Sequence, residues 1–396
     1  MDPVRNPFAP GAGSKPPELA GRDSILEQAD VAIQRALLGK PARSQMLLGL
    51  RGVGKTVLLN KIEEIAERAG HFTSSVEARE QQRLSDLLVP KINQILRRLS
   101  LLEDARVKAH SALRALRSFV SVFKLSYGDL SMSVDPEEGV ADSGDLENDL
   151  TELFLRVGEA AQAADKGWTL LIDEVQYLSQ PDLAALIVAL HKVSQRELPI
   201  VFFGAGLPRV AGLSGDAKSH AERLFLYPPV GALNSEDAKT AIKQPVEAEG
   251  ESIDEAALAE ILQKTQGYPY YLQEWGYQCW EIAEDGRPID KEQAIRAATE
   301  AIRRLDEGFF NVRFERLTPK EREYVMAMAR LGAGPYRSSD VALALSETHQ
   351  SLGPRRAQII NKGMIYSPGH GDIAFTVPMF DEYLMRKYSS NLDPEL

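Results

Sequence analysis

Residues Gly49-Leu50-Arg51-Gly52-Val53-Gly54-Lys55-Thr56 form an instance of G-x-x-x-x-G-K-[ST]. These residue types at this spacing suit a chain of phosphates. The glycines let backbone N–H groups turn inward, and the helix that follows aims the positive end of its dipole at the anion. Lys55 reaches the β- and γ-phosphates, and the Thr56 hydroxyl takes one coordination place on Mg²⁺. Val57 is counted with the loop as the first residue beyond it.

A second group lies in Trp168-Thr169-Leu170-Leu171-Ile172-Asp173-Glu174. An apolar strand that ends in two carboxylates places them at the carboxyl edge of a sheet, where open α/β sheets bind ligands. Asp173 would hold Mg²⁺ through water, and Glu174 would orient and deprotonate an attacking water, because phosphoryl transfer is mostly positioning and charge neutralisation. The plainer alternative is a helix start with acidic residues in its first turn.

The elements that must position these groups are legible from apolar spacing. Leu26, Ala29, Ile33, Ala36 and Leu37 recur at helical period. Strands are expected at 44–50, 72–76, 168–172, 200–203 and 224–227, alternating with helices at 55–69, 84–99 and around Leu183 to Leu190. Continuous apolar strands alternating with helices indicate a parallel sheet covered on both faces. The stretch 101–166 exceeds a simple crossover and reads as an insertion: a basic amphipathic helix, a hairpin over 122–134, an acidic segment and another helix. It is either an extra surface element or a partner-docking element. Helices follow at 235–244, 255–265, 269–284 and 291–306, then at 319–329, 338–345 and 354–362, with two β runs at 364–367 and 372–376. Three helices and a hairpin is the order of a winged helix-turn-helix.

The chain resembles an AAA+ P-loop ATPase near the STAND and origin-recognition-type groups, on residues from about Pro17 to the end. The loop and the Asp173-Glu174 strand carry most of the resemblance. Gly21-Arg22-Asp23 is similar to the box that contacts adenine in those families, and Gly267-Tyr268-Pro269 to the motif whose proline, here Pro269, packs near the base. Arg223 lies where the family places a trans-acting arginine finger. The resemblance implies an α/β P-loop NTPase core, a helical lid and a C-terminal winged helix. It implies ATP and Mg²⁺ as cofactors, with Lys55, Glu174 and Arg223 in catalysis and Thr56 and Asp173 at the metal. The expected domains are a flexible tail or strap over 1–16, the core over 17–227, the lid over 228–306, the winged helix over 307–390 and a tail over 391–396. One departure stands out. The segment after the fourth strand, Gly204-Ala205-Gly206-Leu207-Pro208, lacks the family's polar sensor, so either Arg209 serves or turnover is slow and switch-like.

The 396 residues carry a net charge of −11, which argues against indiscriminate coating of nucleic acid. Residues 311–396 hold eleven Lys and Arg against ten Asp and Glu, so any duplex contact would be local. Arg355, Arg356, Gln358 and Lys362 are the candidates on the third winged-helix element, with Ala357, Ile359 and Ile360 packed inward. A protein partner is the other reading of this module. The single cysteine, Cys279, excludes an internal disulfide framework and a cysteine-cluster metal site. No run reaches the roughly 18 apolar residues of a membrane span. A cytoplasmic, self-associating ATP/ADP switch is expected. The rivals are an adaptor merely stapled by nucleotide and a DNA-dependent ATPase of replication or transposition.

Overall fold

The computed structural model describes residues 1–11, 16–124, 136–137, 139–218 and 221–389. The chain divides into two compact units. A sheet unit takes 22–49 and 55–230, and a helical unit takes 1–21, 50–54 and 231–396.

The sheet unit runs α1 (Asp23–Leu37), β1 (Ser44–Leu48), α2 (Lys55–Arg68), β2 (His71–Glu77), α3 (Leu84–Ser100), α4 (Arg106–Val122), α5 (Leu146–Ala163), β3 (Gly167–Asp173), α6 (Gln180–Gln195), β4 (Ile200–Gly206), α7 (Val210–Ala217), α8 (Ala221–Leu224) and β5 (Phe225–Leu226). All its strand pairs are parallel, in the order β2-β3-β4-β1-β5. Because β1 pairs with β4 and β5 rather than β2, the chain leaves β1 at a switch in strand order, where the carboxyl ends of the strands open a ligand crevice. β4 is buried throughout and β3 everywhere but Asp173, as a sheet covered on both faces requires. β5 is shorter than its apolar run because Leu224 closes the one-turn helix α8.

The insertion is more than a surface addition. α4 buries Leu113, Leu116 and Phe119, and α5 buries Leu150, Leu153, Phe154 and Val157, in the same core as the sheet. The Phe154 ring meets Trp168 of β3 edge-on at 5.0 Å. The acidic segment is tied down locally: buried Asp149 accepts from Ser143 N, Ser143 Oγ and Gly144 N, and Asp145 caps α5. Of the expected hairpin, Val122 closes α4 and residues 125–134 lie outside the described residues.

The helical unit contains α9 (Ser235–Ala248), α10 (Glu255–Thr265), α11 (Pro269–Ile282), α12 (Lys291–Arg304), α13 (Asn311–Glu315), α14 (Pro319–Arg330), β6 (Tyr336–Arg337), α15 (Ser338–Ala344), α16 (His349–Asn361), β7 (Ile365–Tyr366), β8 (Asp372–Phe375) and α17 (Phe380–Ser389). Capping boxes start α12 at Asp290 and α14 at Thr318. α12 does not stop at Asp306 as its pattern suggests; a π-helical turn, Leu305–Phe310, carries the chain into α13. α16 begins five residues before Pro354, since the Thr348 side chain caps its first turn and Pro354 is accommodated inside the helix. β6 is an unforeseen third strand, antiparallel to β8, which also pairs with β7. The N-terminal segment lies along α11. Phe8 is buried against Gly276, Trp280 Nε1 donates to Asp2 O, and Asn6 Nδ2 donates to Tyr277 O.

Candidate functional site: the phosphate loop and its strand ends

In the sheet unit, Gly49 follows β1 and its N–H donates to Gly206 O at the end of β4. α2 starts at Lys55. Lys55 Nζ donates to Gly49 O at 3.0 Å, which holds the ammonium beside the end of β1. Thr56 Oγ1 donates to Asp173 Oδ2 at 2.5 Å, so the first helical turn and the end of β3 share one point. Asp173 also accepts from Glu174 N at 2.7 Å. Burial pushes the Asp173 carboxyl above its ordinary range, partly offset by the bonds from Thr56 and Glu174 N. A carboxylate desolvated beside a hydroxyl, with an ammonium nearby, is a donor set that fits a hydrated Mg²⁺ on a phosphate chain.

Glu174 adopts a left-handed backbone (φ 54°, ψ 40°) at the strand's end, a conformation rarely held without constraint. Its carboxylate accepts from Gln176 Nε2. Buried Gln176 in turn accepts at Oε1 from Leu207 N at 3.0 Å, just past β4. A Cβ on Gly206 would stand 2.9 Å from Gln176 Oε1 and 2.7 Å from Val210 Cγ2, so one or both side chains would have to shift. Arg209 Nη2 reaches Gln176 O at 3.5 Å. Gln176 escaped the sequence reading. The signals that could have found it were the glutamine two residues after Asp173-Glu174 and the lack of a polar residue after β4. Arg22 is buried beside α1, Val57 is half-buried on α2, and Arg223 is exposed on α8.

In the helical unit, the loop tip Leu50–Gly54 has its own partners. Gly52 and Gly54 have φ of +82° and +91°, the region glycine alone enters freely. Tyr268 Oη donates to Arg51 O, Tyr270 N donates to Gly52 O at 3.2 Å, and Arg51 N donates to Thr376 O at 3.4 Å. Val53 is buried, and the Arg51 guanidinium lies against Gly363. Pro269 opens α11, and Gly21 packs on the Asp237 side chain of α9 with no room for a Cβ. Arg313 lies 3.8 Å above the Phe309 ring, and burial, helped by Arg51, lowers its pKa to about 10.

The candidate cations of α16 are engaged within the fold. Arg355 pairs with Glu347 at 3.0 Å, and Arg356 Nη1 donates to Ser338 Oγ at 3.0 Å. Lys362 Nζ bonds Glu321 Oε2 at 2.6 Å and Arg316 O at 3.0 Å. Gln358 is exposed. Ala357, expected inside, is also exposed; Ile359 is buried and Ile360 half-buried. The helix began earlier, but Pro354, Ala357, Gln358 and Asn361 still fall on its outer side. Trp275 and Trp280 are buried in α11, as is Cys279, whose thiol burial pushes up to about 12.

The all-parallel strand order, with paired carboxylates at the end of β3, gives the sheet unit the α/β fold of AAA+ P-loop proteins. Residues 18–203 match the AAA ATPase domain family, and 307–384 match a family described as a domain of unknown function. Similar to this chain is an uncharacterized HTH-type transcriptional regulator of Methanocaldococcus jannaschii, 25% identical over 362 residues that span 89% of this chain and 84% of the relative. The fold is shared with a Walker-type ATPase of Pyrococcus abyssi, at TM-score 0.54 and 16% identity over 93% of this chain and 96% of that one. The ORC1 protein of Aeropyrum pernix, solved in complex with DNA, superposes at TM-score 0.48 with 14% identity over 98% of each chain. Among the described residues no helix is long and apolar enough to cross a membrane.

Proposed function

We propose that the chain is an ATP-binding, slowly hydrolysing switch whose nucleotide state governs self-association and the engagement of a partner through a C-terminal winged helix-turn-helix. The observation that carries the reading is the junction of Thr56 and Asp173 at 2.5 Å, with Lys55 and Glu174 alongside. Lys55 and the loop N–H groups bind the phosphates, and Thr56 and Asp173 hold the hydrated Mg²⁺. That ion neutralises charge on the phosphates. Glu174 accepts a proton from a water whose oxygen bonds to the terminal phosphorus as the P–O bond to ADP breaks. The STAND-like reading rests on Gly267-Tyr268-Pro269 and on Tyr268 and Tyr270 holding the loop tip. Exposed Arg223 is suited to a neighbouring protomer's phosphate.

The order α14-β6-α15-α16-β7-β8 supports the winged helix. Duplex DNA as its partner draws support from the relative named an HTH-type regulator. A protein partner draws support from the outer side of α16, where Pro354, Ala357, Gln358 and Asn361 offer no cation for phosphate neutralisation. ATPase rate and particle mass, measured together with and without duplex DNA, test the reading. Nucleotide-dependent mass with slow turnover supports the switch. Turnover strongly stimulated by duplex at constant mass would favour a DNA-dependent ATPase, and an ATP-independent particle without turnover would leave a stapled adaptor.

A further inference from the structure

We propose that Gln176 is a positioning residue for Glu174, orienting its carboxylate from the β3 side. The inference rests on the hydrolytic reading above. The last residues of β4 and the two that follow, Gly204-Ala205-Gly206-Leu207-Pro208, carry no polar side chain. Gln176 fills the place left there. Its Oε1 is fixed by the Leu207 N–H at 3.0 Å, which can only be a donor, so its amide nitrogen must face the other way. What it faces is the Glu174 carboxylate, to which it donates. The side chain is buried, with its Oε1 over Gly206, where a Cβ would stand only 2.9 Å away. Glu174, in a left-handed backbone conformation, is thereby aimed by a link between the ends of β3 and β4.

The arrangement gives Gln176 two separable duties: accepting from Leu207, which is structural, and donating to Glu174, which sets the base. Gln176→Glu separates them. A carboxylate of the same shape still accepts from Leu207 but meets Glu174 acceptor to acceptor. Two acceptors cannot share that bond, so Glu174 loses the donor that aims it. Turnover should fall at least about tenfold, with KM for ATP within about threefold of wild type.

A readout without nucleotide accompanies it. At about pH 8 the melting temperature of Gln176→Glu should fall below that of wild type, because two acceptors then meet where a hydrogen bond was made. In Glu174→Gln/Gln176→Glu an amide again faces a carboxylate, and that loss should disappear although turnover stays lost. Turnover of Gln176→Glu within about twofold of wild type, or a melting penalty that the double variant does not relieve, would overturn the proposal. A wild type that never releases phosphate, combined with the melting rescue, would show that the bond exists while the hydrolytic reading, and the role built on it, has failed.

Discussion

Lys362→Met separates a fold-holding lysine from a phosphate-binding one. Glu321 on α14 has only 2% of its side chain exposed and Lys362 has 30%, with Nζ at 2.6 Å from Oε2. The carboxylate also accepts from Thr318 N at 2.7 Å as part of the capping box. Removing one partner of a buried pair costs about 3–5 kcal/mol; the partly solvated lysine and the surviving cap bond reduce this to about 2–3 kcal/mol. At about 1.4 kcal/mol per decade, amide exchange in α14 and α16 should quicken roughly 30- to 150-fold, read peptide by peptide by hydrogen-exchange mass spectrometry. Burial alone would raise the Glu321 pKa, but the bonds from Lys362 and Thr318 outweigh it and hold it below the ordinary carboxylate value. A depressed folded pKa contributes stability above the unfolded value, lost as pH falls through the folded one. In the methionine variant burial prevails and Glu321 takes up a proton more readily, so the difference from wild type should be widest at about pH 7.5 and narrow toward about pH 4.5. Unchanged exchange at neutral pH, with weakened duplex binding, would refute this and place Lys362 at a phosphate.

Other outcomes follow from the same geometry. His71 lies between Ile33 O (3.1 Å) and Thr169 Oγ1 (3.0 Å), and burial lowers its pKa from 6.5 to about 4. The unfolded chain therefore binds the extra proton first, and stability should decline as pH falls below about 6.5, by about 2 kcal/mol at about pH 5. Urea midpoints at the two pH values should show a slope that His71→Gln removes; an equal slope in both proteins would refute it. Phe8→Ala should cost about 3–5 kcal/mol of local stability at the N-terminal strap. Limited proteolysis should then cut within residues 1–11 and exchange should rise in α11, whereas an unchanged digestion pattern would contradict the packing. Arg223→Ala should leave nucleotide affinity intact and lower turnover in a protein-concentration-dependent manner; unchanged rates at every concentration would remove it from the site.

Apolar periodicity located the strands at Ser44, His71, Gly167 and Ile200 to within a few residues, because buried parallel strands are continuous apolar runs. It could not foresee β6, whose two residues are too few for any period, or the π-helical turn that carries α12 beyond Asp306. Nor did it give the start of α16, where Pro354 looked like a helix opening but the Thr348 cap had already begun one. The insertion helices looked separable because amphipathicity says which face is buried but not against what; their apolar faces belong to the sheet's core. At the candidate site, the loop and Asp173-Glu174 were legible because phosphate chemistry demands fixed residue types at fixed spacing. Gln176 was not, since its bond to Leu207 joins the ends of two strands 31 residues apart. The α16 cations misled for a related reason: composition counts charges, while Glu347, Ser338 and Glu321 engage them from other elements.

Phosphate release at saturating Mg²⁺-ATP, compared between wild type and Glu174→Gln with nucleotide affinity measured on both, tests the central assignment most directly. A slow wild-type rate, reduced at least about a hundredfold in Glu174→Gln with ATP still bound and the associated form enriched, is the result expected of a positioned base. Equal residual rates in the two proteins, or no ATP binding by either, would contradict it.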